Sequence, residues 1–245
     1  MSWAKLGYWD LGRKIFPSEK YGDILGFCGD ALFCSQQLSQ IITYIDSCSS
    51  FEEITEPNER SDLIFELIQS SFGPYPKRFA LKSFSIVYLT RRKKYDFCAF
   101  NIKWSLAKGW SKSELAVGHS SSLIVWDGTG GKGYKSLHEN EVQHSDFGTN
   151  SRGYFYALHR FIKTNQDPAT GGPPQLACIY NVGSAVKLGT IFDEERYIYG
   201  LKIPNGAHLN NVRWVNETLE SCDANQLKRL HNAQPQPVPR MLSGK

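Results

Sequence analysis

The sequence predicts an α+β fold in which two β-sheets pack face to face and helices cover both outer faces, a four-layer αββα sandwich. Strand-type and helix-type segments come in blocks rather than in strict alternation, which favours this arrangement. At 245 residues the chain is long enough for one such domain, and 41% hydrophobic residues can fill its core. The same composition excludes a disordered, collagen-like or coiled-coil chain.

Charge and hydropathy narrow the classes of function. The net charge is +4 with both signs mixed along the chain, which argues against nucleic acid as a partner. The apolar runs are shorter than the ~18 residues that a membrane span needs. Charged residues interrupt the N-terminus, unlike in a signal peptide. We therefore expect a cytoplasmic protein without a membrane partner.

The cysteines and histidines give no sign of a metal or a cofactor. Six cysteines are spread along the chain without a CxxC pair or a zinc-like spacing. Several, such as Cys98 and Cys178, lie in apolar runs, so we expect buried thiols in a reducing compartment. His138 and His144 lack the spacing of a metal-binding helix.

The first part of the chain predicts one strand followed by two helices. Residues 21–28 have the composition of a buried strand, and apolar residues from Ala31 onward recur at helical spacing. Residues 48–58 are predicted as a loop, after which Ser61 could cap the second helix. That helix should end at Gly73-Pro74.

The middle of the chain predicts three strands and a third helix. Residues 79–90 and 95–106 alternate apolar and polar side chains around a polar turn at 91–94. Residues 120–126 predict a further strand, which the glycine-rich run at 127–131 ends. Residues 151–164 carry an apolar stripe at helical spacing.

The last part predicts a turn, three strands and a helix before a loose tail. The turn at 167–174 is rich in glycine and proline. The predicted elements after it are strands at 175–182, 185–192 and 196–203, a helix at 218–231 and a loose tail at 234–245.

Three short segments carry side chains suited to chemistry, and each also has an ordinary interpretation. Lys14 lies among apolar residues, where desolvation lowers a lysine pKa, or it is a lysine that extends to solvent. The run from Asp127 to Gly131 could orient a hydroxyl or an oxyanion, or be a flexible turn. Asp167 and Thr170 could bind a neighbouring amine, or form an Asx turn.

Taken together, these segments resemble the proteasome β-type family of N-terminal-nucleophile hydrolases, over residues 2–199. The resemblance depends on their order, their spacing and the matching secondary structure. Thr129 and Asp167 are 38 positions apart, close to the family's separation between its Ser-Gly turn and its aspartate. The motifs are Lys14 in Arg-Lys-Ile-Phe, the turn at 26–31, Gly128-Thr129-Gly130, and Asp167-x-x-Thr170-Gly171-Gly172.

The resemblance implies a role for eight residues. Lys14 would tune the nucleophile, and Gly29 would donate its backbone N–H to the oxyanion. Thr129, with Gly130 beside it, stands where the family has a serine near the terminal amine, and Asp167 and Thr170 would orient that amine. Ser2 would pair with an extended peptide substrate, and Phe27 would form the floor of a narrow side-chain pocket. The implied chemistry is acyl transfer by a threonine hydroxyl whose own α-amine is the base.

The resemblance also implies residues that come before Met1. In the family the nucleophile opens a β-hairpin about thirty positions before the lysine, and a second acid follows that hairpin. Only 13 residues precede Lys14. We therefore expect the nucleophile, its hairpin and one acid to lie upstream, and the 245 residues alone to be inactive.

The implied function is peptide-bond hydrolysis by a proteasome-like threonine-type peptidase. Its substrate would be a peptide or an unfolded protein, and its partners similar subunits in a homo- or hetero-oligomer. The hydrolase-like domain would span residues 1–203, with an insertion between Trp104 and His119 and a C-terminal extension at 204–245. Two alternatives stay open: a non-catalytic structural or assembly subunit on the same fold, and a small-molecule amidase of the same superfamily.

Overall fold

The computed structural model describes residues 2–3, 7–76, 82–143, 150–164 and 167–235. Its strands are β1 Ser2–Trp3, β2 Gly7–Tyr8, β3 Ile15–Pro17, β4 Asp23–Gly29, β5 Phe84–Lys93, β6 Asp96–Ser105, β7 Gly109–Leu115, β8 Leu176–Cys178, β9 Val186–Phe192, β10 Glu195–Ile198, β11 Leu201–Lys202, β12 Arg213–Val215 and β13 Ser221–Cys222. Its helices are α1 Ala31–Ser47, α2 Ser49–Glu53, α3 Pro57–Phe72, α4 Gly131–Leu137 and α5 Ser151–Thr164, and a π-helical turn His138–Val142 follows α4. This mixture of helices and sheets confirms the predicted α+β class.

The chain divides into two compact units. Unit 1 contains the described residues of 1–13, 118–176 and 187–245, and unit 2 contains residues 14–117 and 177–186. The predicted domain boundary after Ile203, which depends on the family resemblance, stays a prediction. Among the described residues, no helix is long and apolar enough to cross a bilayer.

Unit 2 is built on a five-stranded antiparallel sheet with the order β3-β4-β5-β6-β7. Helices α1 and α3 contact this sheet, and their apolar faces share one core with it. Leu38, Ile45 and Ile64 from the helices and Ile86 and Ile102 from the sheet are fully buried there. The alternating patterns of 79–90 and 95–106 thus correctly predict β5 and β6, although residues 79–81 lie outside the described residues.

The ends of the helices in unit 2 follow local side-chain chemistry. Asp30 caps α1, because its Oδ1 accepts the backbone N–H groups of Leu32 at 3.0 Å and Phe33 at 3.1 Å. The prediction that Ser61 caps α3 is wrong. The helix begins at Pro57, since a proline at the first helical position lacks an N–H that would be unsatisfied there anyway. Ser61 is buried inside that helix.

Three further boundaries in unit 2 differ from the predictions. The predicted loop at 48–58 contains the short helix α2. The predicted polar turn at 91–94 is mostly strand, because β5 runs to Lys93 and the chain reverses at Tyr95, whose φ is 64°. The region between Trp104 and His119 holds β7, which pairs with β6 along its whole length.

Unit 1 combines two helices with a sheet of short strands. The strands β11-β10-β9-β12-β13 are neighbours in that order, and β9 and β12 are parallel. Helix α5 has the predicted bounds and is capped by Asn150, whose Oδ1 accepts the N–H groups of Arg152 at 3.0 Å and Gly153 at 3.1 Å. Helix α4 packs against α5 and was not predicted.

The strand predicted at 120–126 is wrong. None of these residues belongs to a strand, and Trp126 is 38% exposed. A β-prone composition gives a strand only where a neighbouring strand accepts its backbone hydrogen bonds, and no described strand pairs with this segment.

The helix predicted at 218–231 is also wrong. This stretch holds β13 and turns that are built on two polar side chains. Asn216 Oδ1 accepts the N–H groups of Thr218 and Glu220, and Asp223 Oδ1 accepts those of Asn225 and Gln226. Such local acceptors compete with helical hydrogen bonding, which explains the outcome. The predicted loose tail lies outside the described residues from position 236 onward.

The strands predicted around the end of unit 1 are present but shorter. The prediction at 175–182 corresponds to the three residues of β8, and that at 185–192 to β9. The segment 196–203 is interrupted at Tyr199 and Gly200, which both have positive φ, so it forms β10 and β11.

Candidate functional site

Two threonine hydroxyls of unit 1 converge on one oxygen of the Asp167 carboxylate. The Thr129 hydroxyl donates to Asp167 Oδ2 at 2.6 Å, and the Thr170 hydroxyl donates to the same atom at 2.8 Å. The second oxygen, Asp167 Oδ1, accepts the backbone N–H of Ala169 at 3.0 Å. The structure therefore brings together three of the residues that the sequence selected, from segments far apart in the chain.

The protonation of Asp167 follows from these bonds. Partial burial by itself would raise the pKa of the carboxyl group, but the hydrogen bonds from Thr129, Ala169 and Thr170 outweigh it and lower the pKa below its ordinary value. Asp167 is consequently a carboxylate at neutral pH. Hydrogen bonds to an ionised acceptor are among the stronger ones in proteins.

The turn that carries Asp167 and Thr170 is shaped by its own backbone. The Thr170 N–H donates to the Asp167 carbonyl at 2.9 Å, which closes the turn. Both side chains are half-buried, whereas Thr129 is exposed. The cluster is therefore open to solvent on the side of Thr129.

Gly130 is the glycine that lets the two segments meet. A Cβ at this position would lie 2.4 Å from Thr170 Oγ1 and 3.0 Å from Asp167 Oδ2, and also 2.9 Å from the Phe161 ring. Its φ of −77° is ordinary for any residue, so the requirement for glycine is steric rather than conformational. Any side chain at position 130 would push the cluster apart.

Helix α5 supplies the wall behind this glycine. Phe161 is almost fully buried, and its ring lies so close to Gly133 that a Cβ there would be 2.8 Å away. The two glycines, Gly130 and Gly133, are three positions apart and both face the same ring. The Gly-x-x-Gly spacing is visible in the sequence, but it does not indicate that Phe161 is the residue that contacts both glycines.

Asp10 is a second carboxylate beside the turn, and the sequence did not select it. A Cβ at Gly171 would lie 2.8 and 3.0 Å from its two carboxylate oxygens, and a Cβ at Gly172 would lie 2.2 Å from its backbone oxygen. Gly172 also has a φ of +79°, which favours glycine. The pair of glycines after Thr170 therefore accommodates the Asp10 segment.

Three of the other predicted site residues lie together in unit 2. The Lys14 carbonyl accepts the N–H of Phe27 at 3.2 Å, and Gly29 ends the same strand β4. Gly29 must be glycine, because its φ is +97° and a Cβ would lie 2.2 Å from the Ser83 carbonyl oxygen. Phe27 is buried in the core, with its ring centre 6.4 Å from that of Phe16. The roles proposed for these three residues stay predictions.

Ser2 lies in unit 1, in the short strand β1, which pairs with β2 in a backbone register that places Ser2 opposite Tyr8. Its predicted role in pairing with a peptide substrate also stays a prediction.

Within the described ranges, no group of three or more His, Cys, Asp or Glu side chains is placed to hold a metal ion. No disulfide joins the six cysteines. Cys34, Cys98 and Cys222 are buried as predicted, whereas Cys28, Cys48 and Cys178 are only half-buried.

Comparison with known proteins adds no family assignment. No family model matches the chain, and no curated protein sequence is significantly similar to it.

Proposed function

We propose that the chain is an N-terminal-nucleophile hydrolase of the proteasome β type, a threonine-type peptidase on a four-layer αββα fold. The observation that carries this proposal is the convergence of the Thr129 and Thr170 hydroxyls on one oxygen of Asp167. The supporting sequence features are the order and spacing of the motifs that resemble this family.

The cluster has the chemistry of a site for a primary amine. Each hydroxyl uses its single hydrogen to reach Asp167, so its oxygen still has lone pairs with which to accept. An amine or ammonium group carries several N–H donors and no rigid geometry, and it can bond to both hydroxyl oxygens and to the carboxylate. The ionised state of Asp167 favours a positively charged partner.

This arrangement suits an α-amine that acts as a general base. In the proposed reaction a hydroxyl oxygen attacks the peptide carbonyl carbon while its proton passes to the α-amine of the same residue. The carboxylate of Asp167 stabilises the ammonium group that forms. When the carbon–nitrogen bond breaks, the ammonium group returns the proton to the leaving amine, and water then hydrolyses the acyl ester by the same route.

The remaining elements of the proposal come from the resemblance. They are the tuning of the nucleophile by Lys14, the oxyanion contact of Gly29, the pocket floor at Phe27 and the substrate pairing at Ser2. The proposed substrates are peptides or unfolded proteins, and the proposed partners are similar subunits in an oligomer.

The test uses the protein isolated from the cells that produce it, so that any processing has taken place. We expect mass spectrometry to find a Thr, Ser or Cys at the mature N-terminus. We also expect labelling by an electrophile that reacts with both the hydroxyl and the α-amine of such a residue. The variant Asp167→Asn should lose the label, while Asp193→Asn, which removes an exposed carboxylate paired with Lys163 in the same unit, should keep it. Absence of labelling in the native assembled protein would contradict the peptidase and favour a non-catalytic assembly subunit.

A further inference from the structure

We propose that Phe161 of helix α5 is a positioning residue for the proposed reaction, whose ring sets the place of the Asp167 carboxylate and the Thr170 hydroxyl. The inference rests on the proposed function, because it adds a residue to the same site. It is carried by the way in which the three side chains surround one point beside Gly130.

The ring and the two polar groups meet at the position that a Gly130 Cβ would occupy. That position lies 2.4 Å from Thr170 Oγ1, 2.9 Å from Phe161 Cε1 and 3.0 Å from Asp167 Oδ2. Asp167 Oδ2 is also the oxygen that accepts both threonine hydroxyls. The ring therefore lies across a single glycine from the atom that organises the site.

Helix α4 holds the same ring from a second direction. A Cβ at Gly133 would lie 2.8 Å from Phe161 Cε2 and 3.1 Å from its Cζ. Phe161 is 2% exposed and packs in one buried cluster with Leu137 and Ala157. Interiors packed this closely transmit small displacements, so a change at the ring shifts the start of α4 and the Thr129 loop before it.

The ring also keeps water from one side of the carboxylate. Phe161 and Gly130 are both buried, whereas Thr129 is exposed, so solvent reaches the cluster from the side of Thr129. On the shielded side no water competes with the threonine hydroxyls for Asp167 Oδ2. On the open side the carboxylate meets the α-amine of the proposed mechanism. Phe161 thus acts on the reaction through Asp167.

The test variant shortens this side chain and keeps it apolar. Phe161→Leu removes ring atoms beside Gly130, so the carboxylate and the hydroxyl gain room to move. Phe155→Leu is the matched control, because Phe155 is a buried phenylalanine of the same helix. Both variants remove the same atoms from the core and should cost similar stability, but only Phe161→Leu should change the site.

A second variant separates the volume of the ring from its position. Gly133→Ala in the Phe161→Leu background places a methyl group where Cε2 and Cζ were, and it leaves the space beside Gly130 open. We expect this double variant to recover part of the thermal stability. It should not recover the properties of the site, and it replaces Phe161→Leu in the measurements if that variant does not fold.

The first measurement is NMR of the Thr170 hydroxyl proton in the whole isotope-labelled protein. A hydroxyl proton held by a carboxylate exchanges slowly with water. We expect Phe161→Leu to raise its exchange rate by about tenfold, as for the loss of one hydrogen bond. Phe155→Leu should change the rate by less than about twofold.

The second measurement is the rate of labelling by the electrophile that tests the proposed function, separated into its binding and reaction steps. A misplaced group slows the reaction step, so we expect Phe161→Leu to slow it by about 10- to 100-fold. The binding step should stay nearly unchanged. Phe155→Leu should retain the wild-type rate of both steps.

The outcomes separate this inference from the proposed function. Faster hydroxyl exchange and a slower reaction step in Phe161→Leu, but not in Phe155→Leu, support the inference. Equal effects of the two variants, or no effect of either, overturn the role of Phe161 and leave the peptidase intact if the wild type is labelled. If the wild type takes no label, the proposed function is overturned and Phe161 has no reaction to position, whatever the exchange rates show.

Discussion

The hydroxyl of Thr129 and the carboxylate of Asp167 meet at 2.6 Å, although 38 positions separate them in the sequence. This bond ties the loop before helix α4 to the turn after helix α5. Thr170 donates to the same carboxylate oxygen, so one atom organises both segments. The geometry of the candidate site therefore depends on a single charged group.

The first prediction concerns the charge of Asp167 and the pH dependence of stability. Its pKa is lower in the folded protein than in the unfolded chain, so it stabilises the fold above its ordinary pKa of about 4, and this contribution is lost as the pH falls through the folded value. We expect Asp167→Asn to lower the free energy of unfolding by about 1 to 2 kcal/mol at pH 7. Urea unfolding should show that the difference in the free energy of unfolding between Asp167→Asn and wild type shrinks towards pH 3. Asp193→Asn is the control, and a constant difference over this pH range would contradict the prediction.

The second prediction concerns the absence of a side chain at Gly130. The methyl group of Gly130→Ala would lie 2.4 Å from Thr170 Oγ1 and would also meet the Phe161 ring. We expect a loss of about 1 to 3 kcal/mol in the free energy of unfolding, as for other overpacked sites. Gly118→Ala is the matched control, because a Cβ there would meet nothing closer than 4.0 Å. Equal stability of the two variants in thermal unfolding would show that the site tolerates the methyl group.

The turn at 167–172 was predictable because its signals are local. A carboxylate and a hydroxyl three residues apart, followed by two glycines, specify a tight turn from the sequence alone. The alternation that predicted β5 and β6 is equally local, since one face of each strand is buried in the core of unit 2. The cap of α1 likewise needs only Asp30 and the two N–H groups that follow it.

Features that depend on a distant partner were not predictable in this way. Residues 120–126 have the composition of a strand, yet composition does not say whether a neighbouring strand is present. The helix predicted at 218–231 does not form, because the side chains of Asn216 and Asp223 accept backbone N–H groups and hold these residues in turns. The contact of Asp10 with Gly171 joins two segments of unit 1 that are far apart in the chain, and no spacing in the sequence encodes it.

The third prediction concerns Asp23 in the core of unit 2. Its pKa is raised, whereas that of Asp167 is lowered. It is fully buried, accepts the Tyr88 hydroxyl at 2.5 Å and lies 3.4 Å from Arg60 Nη1. Burial raises its pKa, more than the hydrogen bonds and the arginine lower it. Its stabilising contribution is complete below the ordinary pKa and is lost as the pH rises through the folded value.

We therefore expect the stability of Asp23→Asn relative to wild type to increase as the pH rises from 4 to 7, because the asparagine does not titrate. Urea unfolding of both proteins across this range measures the difference. Asp96→Asn is the control, since its carboxylate forms a partly exposed ion pair with Arg92 in the same unit. A stability difference that falls with rising pH would contradict the raised pKa.

The fourth prediction concerns the reactivity of the thiols in unit 2. Cys48 lies 3.0 Å from the Ser50 hydroxyl, and hydrogen bonds with Ser50 and then Tyr44 lower its pKa, whereas burial raises the pKa of Cys34. Because the thiolate is the reactive form, iodoacetamide at pH 7.5 should modify Cys48 well before Cys34. Ser50→Ala removes the larger of the two hydrogen bonds and should slow the alkylation of Cys48 by about two- to fivefold. Ser70→Ala, an exposed serine on α3, should leave the rate unchanged, and peptide mass spectrometry over time measures both. Equal rates at Cys48 and Cys34 would contradict the prediction, and an unchanged rate in Ser50→Ala would mean that access, not thiolate stabilisation, makes Cys48 the faster of the two.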